Sequence, residues 1–534
     1  MKTTIKNLIL SAALVVGGAS CVDLDTAPYD RETDLTYWEE DPEAAVKALN
    51  TCYTYLGNMD EQLYCEAMTD NAYTKQPNDA TQNIGNGSYS TADPYVKKVW
   101  DGRYTGIRMC NELLENIDRV PDLDPELKKR YIGEAKVLRA YNYYELYTKF
   151  GDVPYTTKVL SIKESMSIAR TAKATVIANV LADLDEVING NYLPTSYDAD
   201  NKGRITRWAA MAIKAKIYLF EGNWTQVKNI TSTIMTEGGF KLFGSYAGLF
   251  EIANEYNSEV ILDAQYRPTS REHQMMYAFL PPSLGGYSQL SPLQELVDSY
   301  IMLDGKTIRE TGTSFDESNP YANRDPRLKA TVMYTGNSYT LADGTEVVIN
   351  CEKGEGKDGY GVGSDCSATG YYIKKYWDNT YRATLYSGLN PILIRYADIL
   401  LMNAEALAEL GELDKTAWDA TIKPIRDRAG FTLASAVEFP EGASKDKLIE
   451  IVRNERRSEL ALEGHRHKDI IRWRIADDVL NGWCHGLKTN EVVGTDNGYV
   501  RVENRAFNAN KHYLWPIPQA ERDLNGNLVQ NPNW

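Results

Sequence analysis

The chain has 534 residues, a formal net charge of −16 and 43% hydrophobic residues. That length can bury a large core or two lobes sharing one. The acidic balance excludes a nucleic-acid binder, whose phosphates need basic patches, and suits a solvated exterior protein.

The first element is an export signal. Lys2 and Lys6 precede an apolar run from Leu8 to Val16, and the small residues Gly18, Ala19 and Ser20 lead to Cys21. Nine residues rise only about 14 Å as a helix and cannot span a hydrocarbon core of about 30 Å. The segment therefore predicts a signal to be removed, with no part in the mature fold. A cysteine at the cleavage point predicts a bacterial lipoprotein acylated on Cys21, the plainer alternative being an ordinary secretory signal. No later segment has 18 uninterrupted apolar residues, so no other span is expected. The six remaining cysteines form no CxxC pair, which speaks against zinc. Cys351 and Cys366 flank a Gly-rich loop and could pair, although a chain of this size does not need a disulfide.

Residues 22–36 are polar and acidic, a spacer off the membrane. From Pro42 the pattern turns helical, with Ala45, Leu49, Cys52, Tyr53 and Leu56 at spacings of three and four. Residues 58–96 are rich in Asn, Asp, Gly, Ser and Thr with tyrosines interleaved, and read as a long loop region. Helix returns through Trp100, Ile107 and Leu114, and again from Pro125 to Phe150, where Gly151 and Pro154 stop it. Two later segments look alike. In each an alanine-rich helix ends at a glycine seven residues after an alanine (Ala215 to Gly222, Ala404 to Gly411), and a second amphipathic helix follows. Small residues let one helix nest against the next, which is the physics of a tetratricopeptide-type pair. Residues 255–390 change texture, and Gly, Pro, Ser, Asn and Tyr predict loops and short strands packed onto the helices, with a strand near 346–350.

The chemistry-bearing motifs are few. Gly354, Gly356 and Gly359 match a dinucleotide spacing, but the glycines that follow cannot start a helix, so a loop is expected. No GxxxxGK, HExxH or GxSxG occurs. His465 and His467 lack a third metal partner and read as solvated or salt-bridged. Glu455, Glu459 and Glu463 repeat at four in a charge-dense stretch. Each has a base within a turn, so local ion pairs along a helix face are expected rather than general acid and base carboxylates.

The run from Glu455 through Glu459, Glu463, Gly464, His465, Arg466 and Asp469 to Trp473 resembles the C-terminal motif of the SusD/RagB family. So do Arg395 to Leu401 with Ala404 to Ala406, and Ile425, Arg426, Arg428 and Gly430. Trp515 to Pro518 with Gln530 to Pro532 are similar to its closing signature, and Glu134 to Tyr141 with Phe150 to Pro154 to its N-terminal region. The resemblance covers nearly the whole chain. It implies a mainly α fold, a scaffold of tetratricopeptide-like helix pairs carrying long loops and a few short strands. The expected organisation is a signal peptide at 1–20, an acidic spacer at 21–36, an N-terminal helical region at 37–250, and a C-terminal region at 251–534 with a loop-rich insert and closing helices.

The resemblance further implies a non-catalytic surface lipoprotein of the outer membrane. It would bind oligosaccharide or polysaccharide and deliver it to a SusC-like TonB-dependent transporter. Asp23 and Asp25 resemble the family's surface-export signal. No cofactor is implied, and whether calcium contributes is not legible in the residues. Sugars offer C–H faces and hydroxyls, which call for flat aromatics flanked by Asp, Asn or Arg. Such groups lie at Asp70, Asn71 and Tyr73, at Tyr277 and Tyr287, and at Trp377, Asn379, Tyr381 and Arg382. Capture of oligopeptides is the alternative, through backbone hydrogen bonds and pockets. A surface glycoside hydrolase needs two carboxylates across a cleft, and a protein-binding scaffold is a further option.

Overall fold

A computed structural model describes residues 33–75, 80–381 and 384–534. Cys21, Asp23, Asp25 and Arg382 lie outside the described residues. The N-terminal half is built of helices: α1 (Ala44–Tyr53), the short α2 (Met59–Tyr64), α3 (Pro94–Asn116), α4 (Pro125–Phe150), α5 (Lys173–Asn189), α6 (Arg207–Phe220) and α7 (Trp224–Glu237). A strand, β1 (Ala72–Thr74), follows α2. The 58–96 stretch expected to be loop thus holds short helices and a strand, elements too brief to show a period. The α4 boundaries follow from local chemistry. Asp124 caps the amides of Glu126 and Leu127, Pro125 sits at the first turn, and Gly151 at φ 72° ends the helix.

The second half opens with β2 (Val260–Asp263), α8 (Met275–Phe279), β3 (Leu290–Pro292) and α9 (Gln294–Ser299). A hairpin, β4 (Ser338–Thr340) and β5 (Glu346–Val348), precedes β6 (Ile392–Arg395) and α10 (Tyr396–Leu410). Then come α11 (Lys415–Ala420), α12 (Ile422–Ala429), α13 (Lys445–Glu459) and α14 (Arg466–Arg472). A three-stranded antiparallel sheet follows in the order β8–β9–β7, formed by β7 (Asn481–Lys488), β8 (Thr495–Asp496) and β9 (Tyr499–Ala506), and a short helix, α15 (Gln519–Leu524), lies in the tail. Gly354 to Gly359 fall in turns, with no helix after them.

The helices stack in a continuous series. α3 packs on α4, α4 on α5, α5 on α6, α6 on α7, α7 on α10 and α10 on α13. The two similar helix pairs are therefore spatial neighbours, although nearly all of the loop-rich insert separates them in sequence. Ala209, Ala210, Ala212 and Ala215 of α6, and Ala404, Ala406 and Ala408 of α10, are buried and permit the close approach. Gly411 takes the left-handed conformation at φ 74° that closes α10. The large core runs along this series, and a second apolar cluster lies beneath the insert. The tail closes on α4: Trp515 N–H donates to Lys149 O at 2.7 Å, and Asn531 Nδ2 donates to Phe150 O at 2.9 Å.

The charge-dense stretch pairs, but not locally. Glu455, Glu459 and Glu463 are all buried, and their partners come from distant segments. Arg327 and Arg426 reach Glu455; Arg327, Arg395 and Arg428 reach Glu459; Lys375 and Arg395 reach Glu463. With Glu259 and Asp325, this network sets five cations against five carboxylates among the described residues. A helix-face pattern cannot reveal this, because periodicity shows which residues share a face and not what covers it. His465 and His467 are likewise not solvated. Burial drives both imidazoles down to about 3, with Lys216 beside one and Lys149 beside the other. The six described cysteines, Cys351 and Cys366 included, are free thiols.

Candidate ligand-binding cleft

A cleft of about 410 Å³ opens where α2 meets the insert. Asn58 caps α2 by accepting from Glu61 N–H at 2.8 Å, and the i, i+4 spacing sets Asp60 and Tyr64 along one wall. Tyr64 donates its hydroxyl to Gln289 Oε1 at 3.2 Å. Gln289 is held by the β1–β3 ladder, in which Tyr73 faces Ser291 and Lys75 N–H donates to Gln289 O at 2.9 Å.

The opposite wall is α8. Met275, Met276, Ala278 and Phe279 are buried, which leaves Tyr277 turned outward. The turn after α8 uses Gly285 at φ 84°, a conformation that favours glycine, and returns the chain so that Tyr287 N–H donates to Tyr277 O at 2.9 Å. The two rings then lie 4.3 Å apart at 36°, and are 38% and 40% exposed. An antiparallel bridge between His273 and Ser387 carries Tyr386, 42% exposed, to the rim. His273 accepts from Met275 N–H through Nδ1 and donates from Nε2 to Leu389 O, a neutral tautomer, and burial lowers its pKa to about 4. It braces the wall and carries no charge. Asp60 is pushed up by desolvation, against the pull of Lys98. Exposed rings flanked by carboxylates and amides are what a sugar's C–H faces and hydroxyls need.

Of the residues expected from sequence, Tyr277 lines this cleft and Tyr287 stacks on it. Asp70 and Asn71 do not face it. Asp70 is buried; burial alone would raise its pKa, but Arg457 and Arg466 hold it well below the usual carboxylate range. Arg466 Nε donates to it at 2.8 Å. Asn71 donates to Glu66 at 2.8 Å and accepts from Arg457 at 3.0 Å. Both fasten the loop to the start of α14 and the end of α13. Tyr73 is half-buried, its hydroxyl accepting from Gln82. Trp377 donates Nε1 to Thr340 O at 2.8 Å and packs edge-on against Tyr339, so it belongs to the β4–β5 hairpin, and Asn379 reaches the same carbonyl. Tyr381 closes the single turn Asn379–Tyr381. Asp60, Tyr64, Tyr266 and Tyr386 complete the cleft without having been singled out as ligand residues. The one available signal was Asp60 and Tyr64 at i, i+4 beside an N-cap asparagine. Among the described residues no group of three or more His, Cys, Asp or Glu is placed to hold a metal ion, and no helix is long and apolar enough to cross a membrane.

An open aromatic cleft mounted on stacked helix pairs defines a ligand-binding protein of tetratricopeptide-like architecture. A family model described as "SusD family" matches residues 249–534, and one described as "Starch-binding associating with outer membrane" matches residues 37–219. The chain belongs to the SusD family. A SusD-like protein of Formosa agariphila is 27% identical, the alignment covering 99% of this chain and 98% of that relative. The crystal structure of a SusD-like carbohydrate binding protein from Bacteroides fragilis superposes with a TM-score of 0.82 at 29% identity, covering 92% of this chain and all of that one. A second SusD-like protein from the same organism gives a TM-score of 0.80 at 27% identity over 95% of this chain.

Proposed function

We propose that this protein captures oligosaccharide or polysaccharide at the tyrosine cleft without cleaving it, and passes it to a SusC-like TonB-dependent transporter while tethered to the outer membrane through an acylated Cys21. The observation that carries the binding step is the packed, solvent-facing pair Tyr277 and Tyr287, with Tyr386 at the rim of the cleft. Large apolar rings left 38–42% exposed are the platforms a pyranose stacks on. The carbohydrate-binding relative supports the same reading.

A glycan array on purified protein, followed by calorimetry on the best ligand, tests it. Tyr277→Ala weakens that ligand by about tenfold or more, the loss of one central aromatic anchor. An array that retains only peptides, or a Tyr277→Ala variant that binds as tightly as wild type, refutes it. Release of reducing ends from the bound glycan would restore the hydrolase reading. Palmitate labelling of the native chain but not of Cys21→Ser, and co-purification with the transporter, test the tether and the partner.

A further inference from the structure

Behind the cleft lies a second, separate space. α2 is the wall between them: Asp60 and Tyr64 line the cleft, whereas Glu61 and Gln62 line an inner, partly open chamber bordered by α3, α4, α6 and the start of α14. The chamber measures about 110 Å³, room for three or four waters at roughly 30 Å³ each, and so for an organic molecule of a few heavy atoms.

Its walls are charged and unevenly so. Glu145 sits between two ammonium groups, Lys149 at 2.6 Å and Lys468 at 2.8 Å, and Arg103 pairs with Glu61 alongside. Three cations thus share two carboxylates. Desolvation outweighs Glu145 and pulls Lys149 down to about 8, and Lys468 and Arg103 act in the same direction. His467, neutral at ordinary pH, adds no further positive charge. A largely buried excess of positive charge, with Lys468 and Glu61 at its partly exposed edge, is unfavourable until an anion joins it. The rest of the wall is balanced, since Lys216, Arg456 and Arg472 pair with Asp398, Asp469 and Glu405, and Glu463, which also lines it, is paired with Lys375 and Arg395. The second observation is Gln62. It is 6% exposed, its Nε2 donates to the Tyr376 hydroxyl at 2.6 Å, and its Oε1 has no hydrogen-bond partner among the protein groups. An orphan buried acceptor in a cationic chamber asks for a ligand that brings both an anion and a donor.

We propose that this chamber is a second ligand site, for a small carboxylate that also carries a hydroxyl, with Lys149 and Lys468 on the carboxylate and Gln62 Oε1 accepting from the hydroxyl. The ligand would stiffen α2 from behind and so brace the wall that presents Asp60 and Tyr64 to the cleft. The inference does not depend on what the cleft binds.

Titration calorimetry on the full chain tests it, with sodium L-lactate, sodium acetate and sodium chloride as probes at equal ionic strength. Lactate binds once per chain and more tightly than acetate, and chloride gives no heat. Lys468→Gln, at a partly exposed position, weakens lactate by about tenfold, one charge-assisted hydrogen bond. Gln62→Met brings lactate down to the acetate level, and Tyr277→Ala leaves lactate binding unchanged. Absence of heat with lactate on the wild-type protein overturns the proposal. So does lactate binding no tighter than acetate, or lactate binding undiminished in a Lys468→Gln variant whose circular dichroism matches wild type.

Discussion

Arg395→Met probes what holds the two halves of the chain together. Arg395 is 1% exposed and donates to Glu463 twice, to Glu459 and to Glu259, each at 2.7 Å, and to the Glu459 carbonyl at 2.8 Å. Methionine fills most of the space and supplies none of these donors. Glu259 keeps Arg428, and Glu459 keeps Arg327 and Arg428, but Glu463 keeps only Lys375. That lysine is itself pulled down to about 8, desolvation being the larger influence and Glu463 opposing it. One carboxylate is left without a matching cation in a dry site, a loss of about 3–5 kcal/mol. Urea unfolding of wild type, Arg395→Met, Glu463→Leu and the double variant measures it. The double variant removes one charge of each sign, so it recovers about 1–3 kcal/mol relative to the sum of the single losses. A single variant within about 1 kcal/mol of wild type, or strictly additive losses, would show that the network does not share its charges as argued.

Three further outcomes follow from other sites. Asp70→Ala strands Arg457 and Arg466 in a buried pocket and lowers stability by about 3 kcal/mol or more in the same urea assay, whereas a ligand-facing aspartate would alter binding alone. Gly411→Ala meets open space and only the left-handed strain of φ 74°, about 1 kcal/mol, but a Cβ at Gly370 would lie 1.7 Å from Leu487 Cδ2 at φ 78°; thermal melts should rank Gly370→Ala clearly worse. His465 and His467 titrate near 3 in the folded state and near 6.5 when unfolded, so their contribution is fully present above pH 6.5 and is lost as pH falls towards 3. Glu66, raised to about 7 mainly by burial, works the other way: its contribution is present below about pH 4.5 and is lost as pH rises through 7. Stability measured from pH 8 to 4 should therefore fall less steeply on the acid side in His467→Gln than in wild type, and an unchanged slope would contradict the buried, neutral imidazole.

Long helices were readable because their signals are local. Pro125 and Gly151 bound α4 in the sequence as they do in the structure, and the alanine-to-glycine spacing marks α6 and α10 as close-packing helices. That α7 packs against α10 was not readable, since no local pattern says which distant surface a helix meets. The cleft was half legible for the same reason. Tyr277 and Tyr287 stand in a loop-rich, tyrosine-rich stretch, and the α8 burial pattern turns one of them outward. Asp70 and Asn71 stand in similar company but are fixed inward by Arg457 and Arg466, residues almost four hundred positions later. Polarity in a loop announces a hydrogen bond and does not say with whom.

The closure of the tail on α4 bears on the order in which the molecule can be completed. Lys149 O and Phe150 O, at the exit of α4, receive donors from Trp515 and Asn531, and Phe150 O accepts from Arg170 Nη2 at 3.2 Å as well. A partly synthesised or partly secreted chain therefore leaves Phe150 O to Arg170 alone and keeps Lys149 O without its donor until residues 515–531 emerge. The end of α4 is thus completed only by residues 515–531, so a nascent chain stalled before Trp515 should be more protease-sensitive around Gly151 than the full chain.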